Sequence, residues 1–393
     1  MKLLRLFILS LPCLLLAVNL EAQFRKYSNE FLNIGAGARG LAMGSALSAS
    51  VGDATAGYWN PAGLTNVTNH PQVVAMYASY FSGIAKYDYA AVAIPTQNGK
   101  GTLGFTVLHF GVDDIPNTLY LVQPDGSINY NNITSFSSSD NAFILSYAKK
   151  TNDFAGFDMS IGGNAKVIYR KVGTFAQAWG FGLDLGVQLK KENVLLAATL
   201  KDATSTFNAW NFTFTDQEKQ ILYLTNNDIP VKSTESTAPS VVVAGGYNFI
   251  INPKFSLLAE ADLRLTFDGK RNTIISSSAV SIDPSIGVEA NFNESFFLRA
   301  GITNFQQALS DGDLTNQKKV WIYQPSLGAG FKVGDVHIDY AFTNLANQSN
   351  PLYTHVFSLK LDLTGNTSAA SRTKTHFKVK STHTRKPKEE IEL

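Results

Sequence analysis

Apolar and polar side chains alternate one for one along much of this chain. In 255–267, Phe255, Leu257, Ala259, Ala261, Leu263, Leu265 and Phe267 fall on one face and Glu260, Asp262 and Arg264 on the other, because strand side chains alternate with period 2. Trp179, Phe181, Leu183, Leu185, Val187 and Leu189 form a similar face, opposite Asp184, Gln188 and Lys190. The runs 286–292 and 357–363 repeat the pattern, with Glu289, Lys360 and Asp362 behind them. The pattern predicts fourteen strands: 72–82, 85–95, 101–111, 140–149, 156–171, 177–190, 192–201, 238–250, 254–267, 279–292, 295–305, 323–334, 335–345 and 352–363. A soluble β-sandwich also alternates, but many of these segments exceed its usual strand length of about 5–6 residues.

The connections test the count. Those after even-numbered strands are short, and many carry turn residues: Asn98-Gly99, Asn252-Pro253, Asn293-Glu294, Gly334-Asp335. The long ones, 112–139, 202–237, 268–278 and 306–322, all follow odd-numbered strands. Short turns at one end and long loops at the other describe an up-and-down outer-membrane barrel. The predicted fold is therefore all-β: a 14-stranded antiparallel transmembrane β-barrel over 72–363, with both termini on the periplasmic side. Its polar faces predict a lumen of mixed charge, including Asp158, Lys166, Arg170, Asp184, Glu260, Asp262, Arg264, Glu289, Asp339 and Lys360.

A barrel of this width exceeds the eight-strand size that side chains alone fill. The segment before the first strand, 23–71, is available as an N-terminal hatch in the lumen. It is dense in Gly, Ala and Ser, which allow close backbone approach. Asn60 before Pro61 reads as a capped helix start. Arg39 and Asp53, if buried there, need partners among the lumen charges or in each other. Gly35-Ala36-Gly37-Ala38-Arg39-Gly40 fits G-x-G-x-x-G, but a dinucleotide fingerprint also needs a preceding strand, a βαβ unit and an acid about 20 residues on. None is present, and Asp53 comes early.

Composition agrees with a membrane barrel. Charged residues are 16% of the chain against 26 Phe and 15 Tyr, and the net charge of +2 points to no nucleic-acid partner. Residues 1–22 read as an export signal, with Lys2 and Arg5 before an apolar run too short to span a membrane. The single cysteine, Cys13, lies inside that run. Beyond Leu363 the chain turns polar and basic, which predicts a disordered periplasmic tail over 364–393 with a possible periplasmic partner. The six histidines show no metal-ligand spacing, and no nucleophile elbow or other catalytic set is present. No enzyme activity, cofactor or metal site is predicted. Gly162-Gly163 and Gly245-Gly246 are candidate strand kinks that would open the wall.

The N-terminal segment carries a resemblance. Phe31-Leu32-Asn33-Ile34, Gly37-Ala38-Arg39-Gly40-Leu41-Ala42-Met43-Gly44, Asp53 and Tyr58-Trp59-Asn60-Pro61-Ala62-Gly63-Leu64 together resemble the PorV/PorQ family, within the superfamily of FadL-type outer-membrane transporters. The resemblance implies a 14-strand barrel with an Asn-Pro-Ala hatch, in the outer-membrane part of the type IX secretion pathway of Bacteroidetes-type bacteria. Its partners would be secretion-system proteins or the C-terminal domains of secreted cargo, besides outer-membrane lipid. Loop aromatics Tyr120, Tyr130, Phe207, Trp210, Phe212 and Trp321 are the candidate partner contacts, and some of them suit a lipid-interface belt equally well. The alternative is a FadL-like transporter of long-chain fatty acids or other hydrophobic small molecules.

Overall fold

A computed structural model describes residues 28–80, 83–96, 101–123, 125–309, 318–345 and 353–364. The predicted export signal, the turn Asn98-Gly99, and nearly all of the basic tail lie outside the described residues. Seventeen strands join in one sheet. Fourteen close on themselves: β1 (Gln72–Tyr80), β2 (Ala85–Pro95), β3 (Thr102–Asn117), β4 (Thr134–Lys150), β5 (Asp158–Val172), β6 (Ala176–Lys191), β7 (Val194–Lys201), β10 (Ser240–Asn252), β11 (Phe255–Thr266), β13 (Ser281–Phe292), β14 (Phe296–Leu309), β15 (Lys319–Val333), β16 (Val336–Thr343) and β17 (Thr354–Asp362). Each pairs antiparallel with its neighbours in that order, and β17 returns to β1 through Gln72↔Asp362 to Ser79↔His355. Ring closure removes the unpaired edges that lipid could not hydrate.

Three short strands stand outside the ring, in connections predicted as loops. β8 (Phe207–Phe212) pairs with the β6 end, β9 (Ser233–Ser236) pairs with β8, and β12 (Ile275–Ser276) pairs with β13. The predicted loop 112–139 is also shorter than expected. The β3–β4 ladder continues to Asn117↔Thr134 across a bulge at Asp113–Asp114, where Asp114 has φ 55°. Its sequence there is Ser-rich and polar on both faces, so alternation gives no signal.

Outward-facing Phe143 and Leu145 of β4 and Trp179, Phe181, Leu183 and Leu185 of β6 remain exposed. A continuous apolar surface of this kind faces lipid. The inward face is covered by the N-terminal segment. Its Met43, Leu47, Val51 and Leu64 are almost fully buried, together with Tyr87 and Leu108 of the wall. Each such side chain contributes roughly 1.5–3 kcal/mol by leaving water.

Candidate functional site: the occupied lumen and its vestibule

The segment enters at the loop-bearing end of the barrel. Asn29 Nδ2 donates to Thr237 Oγ1 (2.9 Å), and Asn208 Nδ2 donates to Asn29 Oδ1 (2.9 Å). It leaves at the short-turn end, where Thr102 Oγ1 donates to the Val67 carbonyl (3.2 Å) and Leu363 N–H to that of Pro71 (2.8 Å). Residues 28–33 therefore sit at the end opposite the one expected for the N-terminus.

Within the segment, two short helices (Ala38–Ala42 and Ala56–Trp59) and a 3-10 turn (Pro61–Asn66) pack on each other. Asn60 caps the last as expected: its Oδ1 accepts from Ala62 N–H (3.1 Å) and Pro61 takes the first position. Its Nδ2 reaches the Ser48 and Val187 carbonyls (3.3 and 3.1 Å). The Tyr58 hydroxyl donates to the Leu32 carbonyl and accepts from Gly35 N–H, both at 2.8 Å. Trp59 Nε1 donates to the Ala36 carbonyl (2.8 Å). The glycines of G-x-G-x-x-G serve this packing, since a Cβ on Gly40 would lie 2.5 Å from the Trp59 ring.

Charge fixes one side of the segment. Arg39 makes a bidentate pair with Glu289 (2.8 and 3.0 Å), Glu289 also accepts from Arg299 Nε (2.5 Å), and Arg299 Nη1 reaches Asp339 (2.6 Å). Asp53 accepts from Thr55 and pairs with Lys360 at 3.3 Å. Burial alone would raise the Asp53 carboxyl, but Lys360, Thr55 and Arg39 hold it well below its ordinary value. Arg39 and Asp53 thus find wall charges. Glu260 and Asp262 take the backbone of the intervening loop: Asp262 Oδ2 accepts from Ser48 N–H (3.1 Å) and Glu260 Oε1 from Ala49 N–H (2.6 Å). Arg264 donates to Asn33 Oδ1 (2.8 Å). Asp184 instead joins Lys166 (2.7 Å), which also pairs with Asp202 (2.5 Å). Asp158 is exposed at the short-turn end.

Close approach to wall glycines fixes the segment on both sides. Gly162 lies under Pro61, where a Cβ would be 2.5 Å from its carbonyl carbon, and Gly186 lies under Asn60. Leu64 covers Gly104. The Ala42–Gly44 turn is seated likewise on Gly287, Gly301 and Gly328. Gly44 (φ 62°) approaches so closely that a Cβ would lie 2.5 Å from Ile302 N. The glycine pairs predicted as kinks are not kinks, because the ladder runs through both (Gly162↔Gly186, Gly163↔Leu185; Gly245↔Ala261, Gly246↔Glu260).

Register breaks occur elsewhere, and one is large. The β13–β14 ladder stops at Ile286↔Ile302. Above it, Ser281–Ser285 stay paired to β11, and β14 follows β15 across a bulge at Asn304–Phe305 (Asn304 φ 55°). Pro284 has no N–H to offer in this stretch. Ser285 and Thr303 touch only through their hydroxyls (2.8 Å). From Phe292 to Ile286 a tilted strand climbs about 15 Å, less than the ~25 Å apolar band of an outer-membrane barrel.

That seam borders a cavity of about 490 Å³ at the loop-bearing end. The N-terminal segment provides its Ile34, Leu41, Ser48, Tyr58 and Trp59, and the wall its Tyr80, Phe110, Lys201, Arg264, Asp283 and Thr303. Lys201 lies 4.9 Å over the Tyr58 ring. A second cleft, also about 490 Å³, is apolar and lies between the outer ends of β3–β6 and β8, lined by Phe136, Phe175, Trp210, Phe212 and Phe214. Phe175, Phe212 and Phe214 stack, and Arg170 covers Trp210 at 5.2 Å. Of the predicted loop contacts, Trp210 and Phe212 meet here. Phe207 packs on Phe181 of the outward face (5.9 Å), Tyr130 stands exposed, and Trp321 belongs to β15 on the outer wall. Tyr120 lies in the β3–β4 loop, where its carbonyl accepts from Asn132 Nδ2 (2.9 Å).

Sequence reasoning missed Arg299, Asp202 and Gln188 as partners of the segment or its neighbours. Arg299 stands within Phe296-Phe297-Leu298-Arg299-Ala300, where apolar residues on both faces hide it. Among the described residues no group of three or more His, Cys, Asp and Glu could hold a metal ion.

No family model and no curated protein matches the chain. Solved structures do. The Ralstonia pickettii toluene transporter TbuX is similar over 84% of this chain and 98% of its own, with TM-score 0.52 and 12% identity. The P. putida toluene transporter TodX gives 0.51 and 14%, over 84% and 99%, and the CymD monoaromatic hydrocarbon channel 0.51 and 12%, over 84% and 98%. At such identities the likeness is one of fold.

Proposed function

We propose that the chain is an outer-membrane transporter that admits small hydrophobic molecules at its loop-bearing end. The seam between β13 and β14, opening beside the vestibule, carries the reading. The segment 28–71 acts as a hatch that closes the axial route. A molecule reaching the vestibule would then leave sideways, between the two strands, into the apolar part of the membrane. The proteins of like fold are named as toluene transporters and a monoaromatic hydrocarbon channel, which suggests apolar compounds of that size; long-chain fatty acids are the other candidate. The test is uptake of labelled toluene and of labelled oleate by cells with and without the chain. A rise of about five-fold or more for either supports the reading, and identical uptake of both sinks it.

A second reading has its own observation. The apolar cleft around Trp210, Phe212 and Phe214 suits a protein partner, as the resemblance to PorV and PorQ implies. In that case the barrel serves type IX secretion by binding cargo C-terminal domains or an attachment component. Trp210→Ala with Phe212→Ala would then abolish co-purification of secretion proteins in mild detergent.

A further inference from the structure

The connection 267–280 does more than span β11 to β13. Its strand β12 pairs with β13 (Ile275↔Ile282, Ser276↔Ser281) on the edge that β14 has left. Just before β12, Asn272 reaches across to β14. Its Oδ1 accepts from Gln307 N–H (3.0 Å) and its Nδ2 donates to the Gln307 carbonyl (2.7 Å). The connection therefore ties together the two strands that the wall leaves apart.

The same connection is also held by the N-terminal segment. Arg271 pairs with Glu30 (3.2 Å) as well as with its neighbour Asp268 (2.6 Å). Glu30 accepts from Asn33 Nδ2 (3.0 Å), and Asn33 accepts from Arg264 of β11 (2.8 Å). Arg264, Asn33, Glu30, Arg271 and Asn272 form a continuous polar chain, and all five line the vestibule. A molecule entering the vestibule meets every link.

We infer that 267–280 is a strap that closes the β13–β14 seam, and that the N-terminal segment sets its grip through Glu30 and Arg271. The inference names the control of the lateral exit and, for that role, rests on the transport reading. Glu30 is partly exposed, and half-exposed ion pairs are weak and exchangeable. Asn272 is the stronger tie, because it holds both backbone groups of Gln307 through two hydrogen bonds. A weak control contact on a stronger latch is the order a releasable strap needs.

Amide hydrogen exchange on the full chain in lipid nanodiscs tests the strap directly, since among the described residues Asn272 is the side chain that accepts from Gln307 N–H. Glu30→Gln should speed exchange at Gln307 and across 269–277 about three-fold. Asn272→Ala should speed it at Gln307 about ten-fold or more, with the β5–β6 ladder unchanged in both. Unchanged exchange at Gln307 in Glu30→Gln overturns the control. A cross-link tests the exit. With Cys13 in the predicted signal, Ser285→Cys with Thr303→Cys gives the mature chain its only cysteines, at positions whose hydroxyls already touch. Oxidation should lower uptake about five-fold and reductant should restore it. Equal uptake by both forms overturns the exit and leaves transport standing. If no form moves either probe, the transport reading fails, and the exchange result alone decides whether Glu30 governs the strap.

Discussion

The two sides of the lumen hold the same segment differently, since glycine seats serve both and charge is added on one. On β3–β6 the contacts are uncharged seats on wall glycines: the Pro61 backbone on Gly162, the Asn60 side chain on Gly186 and the Leu64 side chain on Gly104. The β5–β6 ladder beneath them is unbroken from Asp158↔Lys190 to Val172↔Ala176. On β11–β17 the seats at Gly287, Gly301 and Gly328 are joined by ionic contacts through Glu289, Arg299, Asp339, Lys360 and the Glu260–Asp262 pair, and there the wall is split. Shape contacts admit no substitute partner, because nothing else fits the space. Ion pairs and carboxylate–amide contacts can be exchanged for others. The segment thus has rigid seats on both sides, and its exchangeable contacts are on the split side.

The ionic side should therefore fail most when its hub is removed. Glu289 serves both Arg39 and Arg299, and Glu289→Ala takes from Arg39 its bidentate partner and leaves the buried Arg299 with Asp339. Breaking a buried pair costs about 3–5 kcal/mol, so thermal unfolding of the detergent-purified barrel should shift down strongly. Ion conductance in planar bilayers should rise as the segment loosens. A variant that stays closed and as stable as the parent would show that shape alone holds the segment, and the contrast between the two sides would collapse.

Next in size is an intrusion on the shape side. Gly162→Ala sets a methyl against the Pro61 backbone, where no rotamer can move away, and overpacking of this kind costs about 1–3 kcal/mol. Its sequence neighbour is the control. A Cβ on Gly163 meets nothing closer than 3.4 Å, so Gly163→Ala should change stability by less than about 0.5 kcal/mol. The two single-methyl variants, compared by chemical or thermal unfolding, separate a seat from an ordinary strand glycine. Equal effects would refute the seat.

These glycines also mark how far the sequence could be read. Alternation and turn parity placed all fourteen ring strands, because a lipid-facing strand must keep every second side chain apolar. Asn60-Pro61 was legible as a cap because capping is local chemistry. The partners of Arg39 and Asp53 were narrowed only to the lumen charges, since register across the barrel decides which of them face the segment. Gly162-Gly163 was read as a kink: a glycine in a strand signals missing volume, and only the fold says whether a bend or another backbone uses it. The seam left no mark at all. Pro284 and the Asn304 bulge look unremarkable in sequence, and only the ladder shows that β13 and β14 part above Ile286.

The smallest expected effect is the most pointed test of that last lesson. Gly245-Gly246 resembles Gly162-Gly163 in sequence, yet nothing lies within 3.7 Å of a Cβ built on Gly245, the nearest atom being Leu196 Cδ2 at 3.8 Å. The β10–β11 ladder passes through it without a shift. Gly245→Ala should leave stability unchanged or raise it by about 0.4–1 kcal/mol, because alanine restricts the unfolded chain more than glycine does. Uptake should not change either, since the intact β11 separates Gly245 from Ile286, where the seam begins. A loss of uptake with stability intact would move the lateral exit from β13–β14 to β10, and would return to this glycine pair the role its sequence suggests.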